Sequence, residues 1–267
     1  MKKAVMIFVA AMLAISAYAQ KKTVALGSVN SSSGVGSNWT ALLRQSMMNS
    51  LSQSSRINLF DLNNLSNLSG SAQDRLVQLK EEYHVDYVIT ATITSLTSKY
   101  SPTSDGKPWY NATMEWTTTV TDTETGETVS VVPEKDYGFS SSSDEAYKKC
   151  FGLINAEMKS LLEECFPLTG TIQMIEESHP RKGAKTVFID LGSDLGLEPA
   201  DYMDVFQIRQ MAGREIPTKI GTLRCKEVVA GDLSLCTVKK GGVEIQKGID
   251  NEEKLVVKTR SRTLTEF

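Results

Sequence analysis

Apolar and polar residues follow two different rhythms along the chain. Up to Pro167, helical spacings alternate with short β-branched runs; beyond it, only strand-like runs separated by turns are read. Thr23 to Val29 reads as a strand and Asn30 to Ser37 as a Ser/Gly loop. Trp39, Leu42, Leu43, Met47 and Leu51 then recur at helical spacing, and Ile57 to Leu62 reads as a second strand. Asn63 to Gly70 is polar, with Leu62, Leu65 and Leu68 spaced for a short helix. Ser71, with Asp74 three residues on, opens a helix whose face is Ala72, Leu76, Leu79 and Tyr83. Asp86 to Thr94 is a third strand, followed by a variable stretch to Pro108. Tyr110 to Val120 alternates strictly, which predicts a strand with one buried and one wet face. Asp122 to Glu127 is a turn, and Glu127 to Val132 the returning strand. Ser142 and Glu145 cap the longest predicted helix, with a stripe through Tyr147, Cys150, Phe151, Ile154, Met158, Leu161, Leu162 and Cys165.

From Thr169 onward the pattern contains no convincing helix. Gly170 to Ile175, Lys185 to Leu191, Asp204 to Arg209, Lys219 to Val229 and Leu233 to Val238 read as strands, with Gly, Pro or Asp in the turns between them. Short strands at this spacing predict a small β-barrel. The fold expected is therefore α+β: a mixed sheet with helices on one side, followed by a small β-barrel. The predicted divisions are 1–19, 20–167, 168–258 and a short polar tail at 259–267.

The first division is a secretory signal on its pattern. Lys2 and Lys3 precede an uncharged apolar run, Ala4 to Ile15, and Ala17-Tyr18-Ala19 is a small-x-small cleavage site. Cleavage there leaves 248 of the 267 residues and removes two lysines, taking the formal charge from −3 to −5. Gln20 stands where a lipoprotein would carry Cys. The expectation is a soluble periplasmic or secreted chain, not lipidated at its mature N-terminus. No later apolar run is long enough to span a membrane. The mild acidity argues against non-specific nucleic-acid binding, and two histidines argue against multi-His metal sites.

Four cysteines remain in the exported part. Cys150 and Cys165 lie fifteen residues apart on one predicted helix, about 22 Å. A disulfide needs Cα atoms within about 7 Å, so the two pair only if the helix breaks. Cys225 and Cys236 flank a hairpin centred on Ala230-Gly231. A cross-strand disulfide and two buried free thiols are both open, because a one-residue slip in register would put them on opposite faces.

Motifs for chemistry are mostly missing. There is no phosphate loop, His-Glu-x-x-His, Gly-x-Ser-x-Gly or Cys-x-x-Cys. Gly27, Gly34 and Gly36 sit between a first strand and helix, where a dinucleotide site would be, but their spacing is wrong. His84 and His179 lack triad-like neighbours in sequence. Asp190, Asp194, Asp201 and Asp204 lack the ligand order of a Ca²⁺ loop and read as turn formers. Asn30, Asn38, Asn64, Asn67 and Asn111 match Asn-x-Ser/Thr. Lys258, Arg260 and Arg262 form a small basic tail. No cofactor and no catalytic or metal-binding residue is expected.

Three segments then carry a resemblance. They are the run from Lys21 through Leu62, the strand with Asp86, Tyr87, Val88, Ile89 and Thr90, and the turn with Asp122, Thr123, Thr125, Gly126 and Glu127. Over about residues 22 to 165 they resemble the CsgG-like family of bacterial cell-envelope proteins, with the related domains of FlgT and LpoB. The second division, with its Gly192, Ser193 and Gly196 turn, resembles the small C-terminal β domain of FlgT-like proteins. Pore-forming members of the family are lipidated and carry long inserted hairpins; Gln20 and the short 95–110 stretch depart from that pattern. The resemblance implies a non-enzymatic envelope assembly or scaffold protein that binds other envelope proteins, with self-association a second option. Activation of a peptidoglycan synthase and a secretion-accessory role are alternatives within binding. A hydrolase whose residues assemble only in the fold is the alternative outside it.

Overall fold

The computed structural model describes residues 21–62, 65, 68–211 and 213–260. The signal segment with Ala19 and Gln20, Asn64, Asn67 and residues 261–267 with Arg262 lie outside the described residues. The chain divides into two compact units, Lys22–Cys165 and the residues from Phe166 onward. Among the described residues no helix is long and apolar enough to cross a membrane.

The first unit is built on a five-stranded mixed sheet. Its strands are β1 (Lys22–Ser31), β2 (Ile57–Asp61), β3 (Tyr87–Tyr100), β4 (Tyr110–Asp122) and β5 (Thr128–Ser140), in the order β2-β1-β3-β4-β5. β1 runs parallel to β2 and β3, and β3, β4 and β5 form an antiparallel meander. The helices are α1 (Ser37–Ser52), α2 (Ala72–Glu81), α3 (Ser143–Cys150) and α4 (Ile154–Cys165).

Alternation along β4 sets the two faces. Ala112, Met114, Trp116, Thr118 and Val120 are buried, and the residues between them are only half-buried. α1, α3 and α4 form the helix layer, burying Leu43, Met47, Leu51, Ala146, Cys150, Ile154, Met158, Leu161 and Leu162. α2 adds a smaller cluster: Leu79 and Val85 pack with Ala25 and Val88, joined by Phe60, Leu76 and Tyr83. Ala25 and Val88 alternate with Val24, Leu26 and Ile89, so α2 covers the opposite face at the parallel end. Its capping box forms as the sequence predicts, with Ser71 and Asp74 bonding reciprocally.

The long helix read from the sequence is interrupted. α3 ends at Cys150, a 3₁₀ turn spans Phe151–Leu153, and α4 starts at Ile154. Gly152, a poor helix former, lies in the break. The break does not join the two cysteines. Cys150 feels Asp136 and Cys165 bonds Ser130, six residues away along β5, or about 20 Å.

The second unit is a closed barrel of β6 (Thr169–His179), β7 (Gly183–Ile189), β8 (Tyr202–Met211), β9 (Arg214–Val228), β10 (Ser234–Lys240) and β11 (Leu255–Arg260), in the order β10-β7-β6-β11-β8-β9. Val187, Ile189, Met203, Val205, Leu223 and Val257 fill it. The α+β reading, a mixed sheet followed by a small barrel, holds.

β11 goes unread as a strand in the sequence, and two further details differ in the second unit. It contains a helix, α5 (Gly242–Asp250), behind the Gly241-Gly242 pair that reads as a turn. The helix buries Ile245 in the barrel core, where Gly221 leaves room: a Cβ there would lie 2.8 Å from Ile245 Cδ1. The expected tail also starts later than residue 259. Thr259 and Arg260 belong to β11, held by the Leu168 amide donating to Thr259 Oγ1 (2.8 Å) and by the Arg260–Asp204 ion pair.

A helix comes close to the first sheet at Gly138, where a Cβ would lie 1.8 Å from the Ala146 carbonyl oxygen. That contact is backbone, so a side chain cannot move aside. Gly138→Ala is expected to destabilise the protein by about 2–3 kcal/mol, read from the midpoint of urea unfolding.

Candidate functional site

Most residues singled out in the sequence serve turns and strand contacts. His84 is exposed at the junction into β3, with left-handed φ of 53°. His179 is exposed, and its Nδ1 accepts the Arg181 amide (3.1 Å) in the β6–β7 turn. Gly27 packs against Thr90 and Val88 of β3, Gly34 takes a φ of 99°, and Gly36 precedes α1. Asp190 accepts from Thr171 Oγ1 (2.7 Å) and Gln173 (3.1 Å), and Asp201 accepts the Glu198 amide (3.0 Å). The Asp194 carboxylate lies against Gly231. Asp204 is not a turn former: it sits in β8 and pairs with Lys219 (2.6 Å) and Arg260 (3.0 Å). The four aspartates do not converge, and among the described residues no group of three His, Cys, Asp or Glu could hold a metal.

The residues behind the family resemblance are structural. Asp122 Oδ1 accepts the Glu124 (2.8 Å) and Thr125 (2.9 Å) amides, and Gly126 closes the turn at φ 71°. The buried Thr123 hydroxyl donates to the Val85 carbonyl at 2.6 Å, docking the turn on the start of β3. Asp86 joins three elements, accepting from the Thr23 amide (3.0 Å) and from Lys80 (2.9 Å). Burial opposes its charge, but these two donors outweigh burial and hold the carboxyl below its ordinary range. The same bond raises Lys80.

The sequence reading missed a row of exposed apolar side chains on an edge strand. Val129, Val131, Tyr137 and Phe139 of the edge strand β5 are all about half exposed or more. Val131, Tyr137 and Phe139 share parity and stand on one face of the strand, opposite to the inward Asp136 and Gly138, and Val129 is the extra residue of a bulge at the start of β5. Pro133 and the Glu115–Lys135 pair (2.6 Å) lie between them, beside a threonine-rich row on β4. The signal was present as a period of two from 129 to 139, broken by the polar Glu134-Lys135-Asp136 segment. A separate shallow depression of about 470 Å³ is lined by Trp39, Leu42, Gln45, Asp144 and Lys148. Trp39 there stacks on Phe151 (6.0 Å between centroids) and meets Tyr147 edge-on (5.3 Å).

In the barrel, Cys225 and Cys236 are directly opposite each other. The hairpin closes with Glu227 opposite Leu235, and a one-residue bulge at Lys226 then brings the cysteines into register. Cys225 donates its amide to the Asp201 carbonyl (2.8 Å) and accepts the Ala200 amide (2.9 Å), both away from β10. The two are thus a non-hydrogen-bonded pair, the closer of the two kinds, with Cα atoms about 4.5 Å apart, within disulfide range. Both are buried free thiols that hydrogen-bond to each other. That bond eases the first proton off Cys225 and pushes the Cys236 thiol up.

No family model matches the chain, and no curated protein does. Solved structures similar to part of it include lipoprotein GNA1162 from Neisseria meningitidis, at 16% identity over 54% of this chain and 97% of that one, with a TM-score of 0.37. The hypothetical protein CT253 from Chlamydia trachomatis matches at 13% over 53% and 97%, with a TM-score of 0.36. The LpoB C-terminal domain from Escherichia coli matches at 14% over 48% and 91%, with a TM-score of 0.30. Likenesses of this size leave the reading of this chain to its own residues.

The Asp86 junction yields a pH dependence. Its lowered carboxyl contributes stability above about pH 4, the ordinary aspartate value, and loses it as pH falls further. Asp86→Asn is expected to be less stable than the parent at pH 7, with the gap narrowing below about pH 4 in urea unfolding at each pH.

Proposed function

We propose that this chain is an exported, non-enzymatic cell-envelope component that binds another envelope protein through the outward face of β5. The observation that carries the reading is the row of Val129, Val131, Tyr137 and Phe139. Four large apolar side chains exposed along one edge strand are more than scattered exposure, and such patches serve association. The signal-type N-terminus and the CsgG-like resemblance of residues 22–165 support export and the envelope. Within that role the chain acts as an assembly or scaffold component; synthase activation and secretion assistance are narrower forms of the same binding. The partner presents an apolar surface, because the face offers one ion pair and little other charge.

Replacing Val131 and Tyr137 together by Glu changes only outward side chains. The double variant is expected to fold normally and to lose at least tenfold in recovery of the envelope protein that the parent captures by cross-linking. Equal capture by both forms would remove β5 from the proposal. Size-exclusion chromatography of the parent alone separates a second copy from a different partner.

Export also bears on the thiols. We propose that Cys225 and Cys236 form a disulfide in the exported protein. The two thiols give up two protons and two electrons to an incoming protein disulfide by thiol–disulfide exchange. In unfolded, unreduced protein, alkylation is expected at Cys150 and Cys165 alone, and at all four after reduction. Labelling of all four before reduction would overturn the bridge.

A further inference from the structure

Between β5 and α4 lies a group of acids that the proposed binding role does not use. Asp136 is 1% exposed. Its Oδ2 accepts the Trp116 indole N–H at 2.8 Å, while its Oδ1 is buried and accepts no hydrogen bond. Glu157, on α4, has a buried Oε2 in the same condition. The two carboxyl groups lie within hydrogen-bonding reach of each other.

Two orphaned oxygens on neighbouring carboxyl groups point to a missing hydrogen. A buried carboxylate oxygen without a donor is costly, and two touching carboxylates do not both ionise. One proton between them gives each orphan its partner. Glu157 is the group that carries it, because burial and the neighbouring carboxylates oppose its charge. We infer that Asp136 and Glu157 share a single proton and form a pH-sensitive latch holding α4 against β5.

The neighbouring groups agree with this arrangement. Beside Asp136 on β5 is Glu134, raised by burial and by the Asp136 charge. α3 contributes Cys150, whose thiol burial and Asp136 push up to about 11, so it stays protonated through the range that matters. β4 contributes Trp116, which does not titrate. Burial first, then Asp136 and Glu134, push Glu157 up to about 8.

A carboxyl raised in the folded state stabilises most below its unfolded value, about 4.3. That stability declines as pH rises to about 8, and above 8 the curve is flat. Locally, the latch stays closed until Glu157 ionises near pH 8; a second buried negative charge then pushes α4 from β5.

The test uses the full mature chain. The ¹³C carboxyl shift of Glu157 is expected to titrate above pH 7, and the near-ultraviolet signal of Trp116 to change over the same interval. Glu157→Gln keeps a donor to Asp136 but has no proton to lose. It is expected to abolish the change near pH 8 and to remove the decline in Tm between pH 5 and 8. Should that variant fail to fold, Asp136→Asn is expected to bring the Glu157 titration down by at least one pH unit. A Glu157 titration near pH 4–5 in the parent, or a pH 8 change that persists in Glu157→Gln, would overturn the latch.

Discussion

One buried hydrogen bond, from the Trp116 indole to the Asp136 carboxylate, ties side chains of β4 and β5 together on the inward face of the sheet. Strand side chains have a period of two, so a slip of one residue would exchange the faces of the whole strand. With Asp136 inward, Gly138 is inward too, and α3 approaches the backbone there without a Cβ in the way. With both inward, Val131, Tyr137 and Phe139 face out. The buried acid and the exposed apolar row are therefore two sides of one choice of register. A register set only by apolar contacts would favour putting those three side chains inside.

The barrel solves a related problem differently. Its β9–β10 hairpin begins one residue out of step with the pairing that joins the cysteines, and the bulge at Lys226 absorbs the difference. A bulge leaves one residue unpaired, but here it puts two sulfurs in one core instead of on opposite faces. The same core takes Ile245 from α5, admitted by the bare backbone at Gly221. In both units glycine marks a place where another element comes to the backbone, and parity decides what each strand shows to solvent.

What was legible in the sequence was local. β4 could be read because all of its alternating positions agree, and the Ser71–Asp74 box because its partners are three residues apart. Five of the six barrel strands were legible from their turns; β11 was not, because no turn signal of its own marks it off from the end of the chain. α5 was not, because its apolar content is little more than Ile245 and Ile249 and it opens on two glycines. The second half of β5 was hidden by Pro133, Glu134, Lys135 and Asp136, each a poor strand residue taken alone. Glu157 left a faint trace, an acid at i+3 inside the apolar stripe from Ile154. Nothing local ties it to Asp136, twenty-one residues earlier and on a different element. Nor does spacing foretell that Asp86 receives the Thr23 amide, or that Asp204 pairs with Arg260 instead of shaping a turn.

The geometry of β5 also bears on how it would bind. An edge strand can recruit a partner along its free backbone or across its side-chain face. Pro133 has no N–H to offer, and edge strands tolerate proline with the missing donor on the solvent side. Lys135 places a charge two residues further on, and prolines and lysines on an edge discourage strand addition. The outward face carries the opposite signal: its apolar side chains flank one ion pair whose members already satisfy each other. Backbone pairing is thus hindered at the middle of the strand, while the face above the same residues stays open. Binding through the face leaves the β4–β5 ladder and the buried acids beneath it undisturbed, so one strand can hold its core and present a surface without trading one for the other.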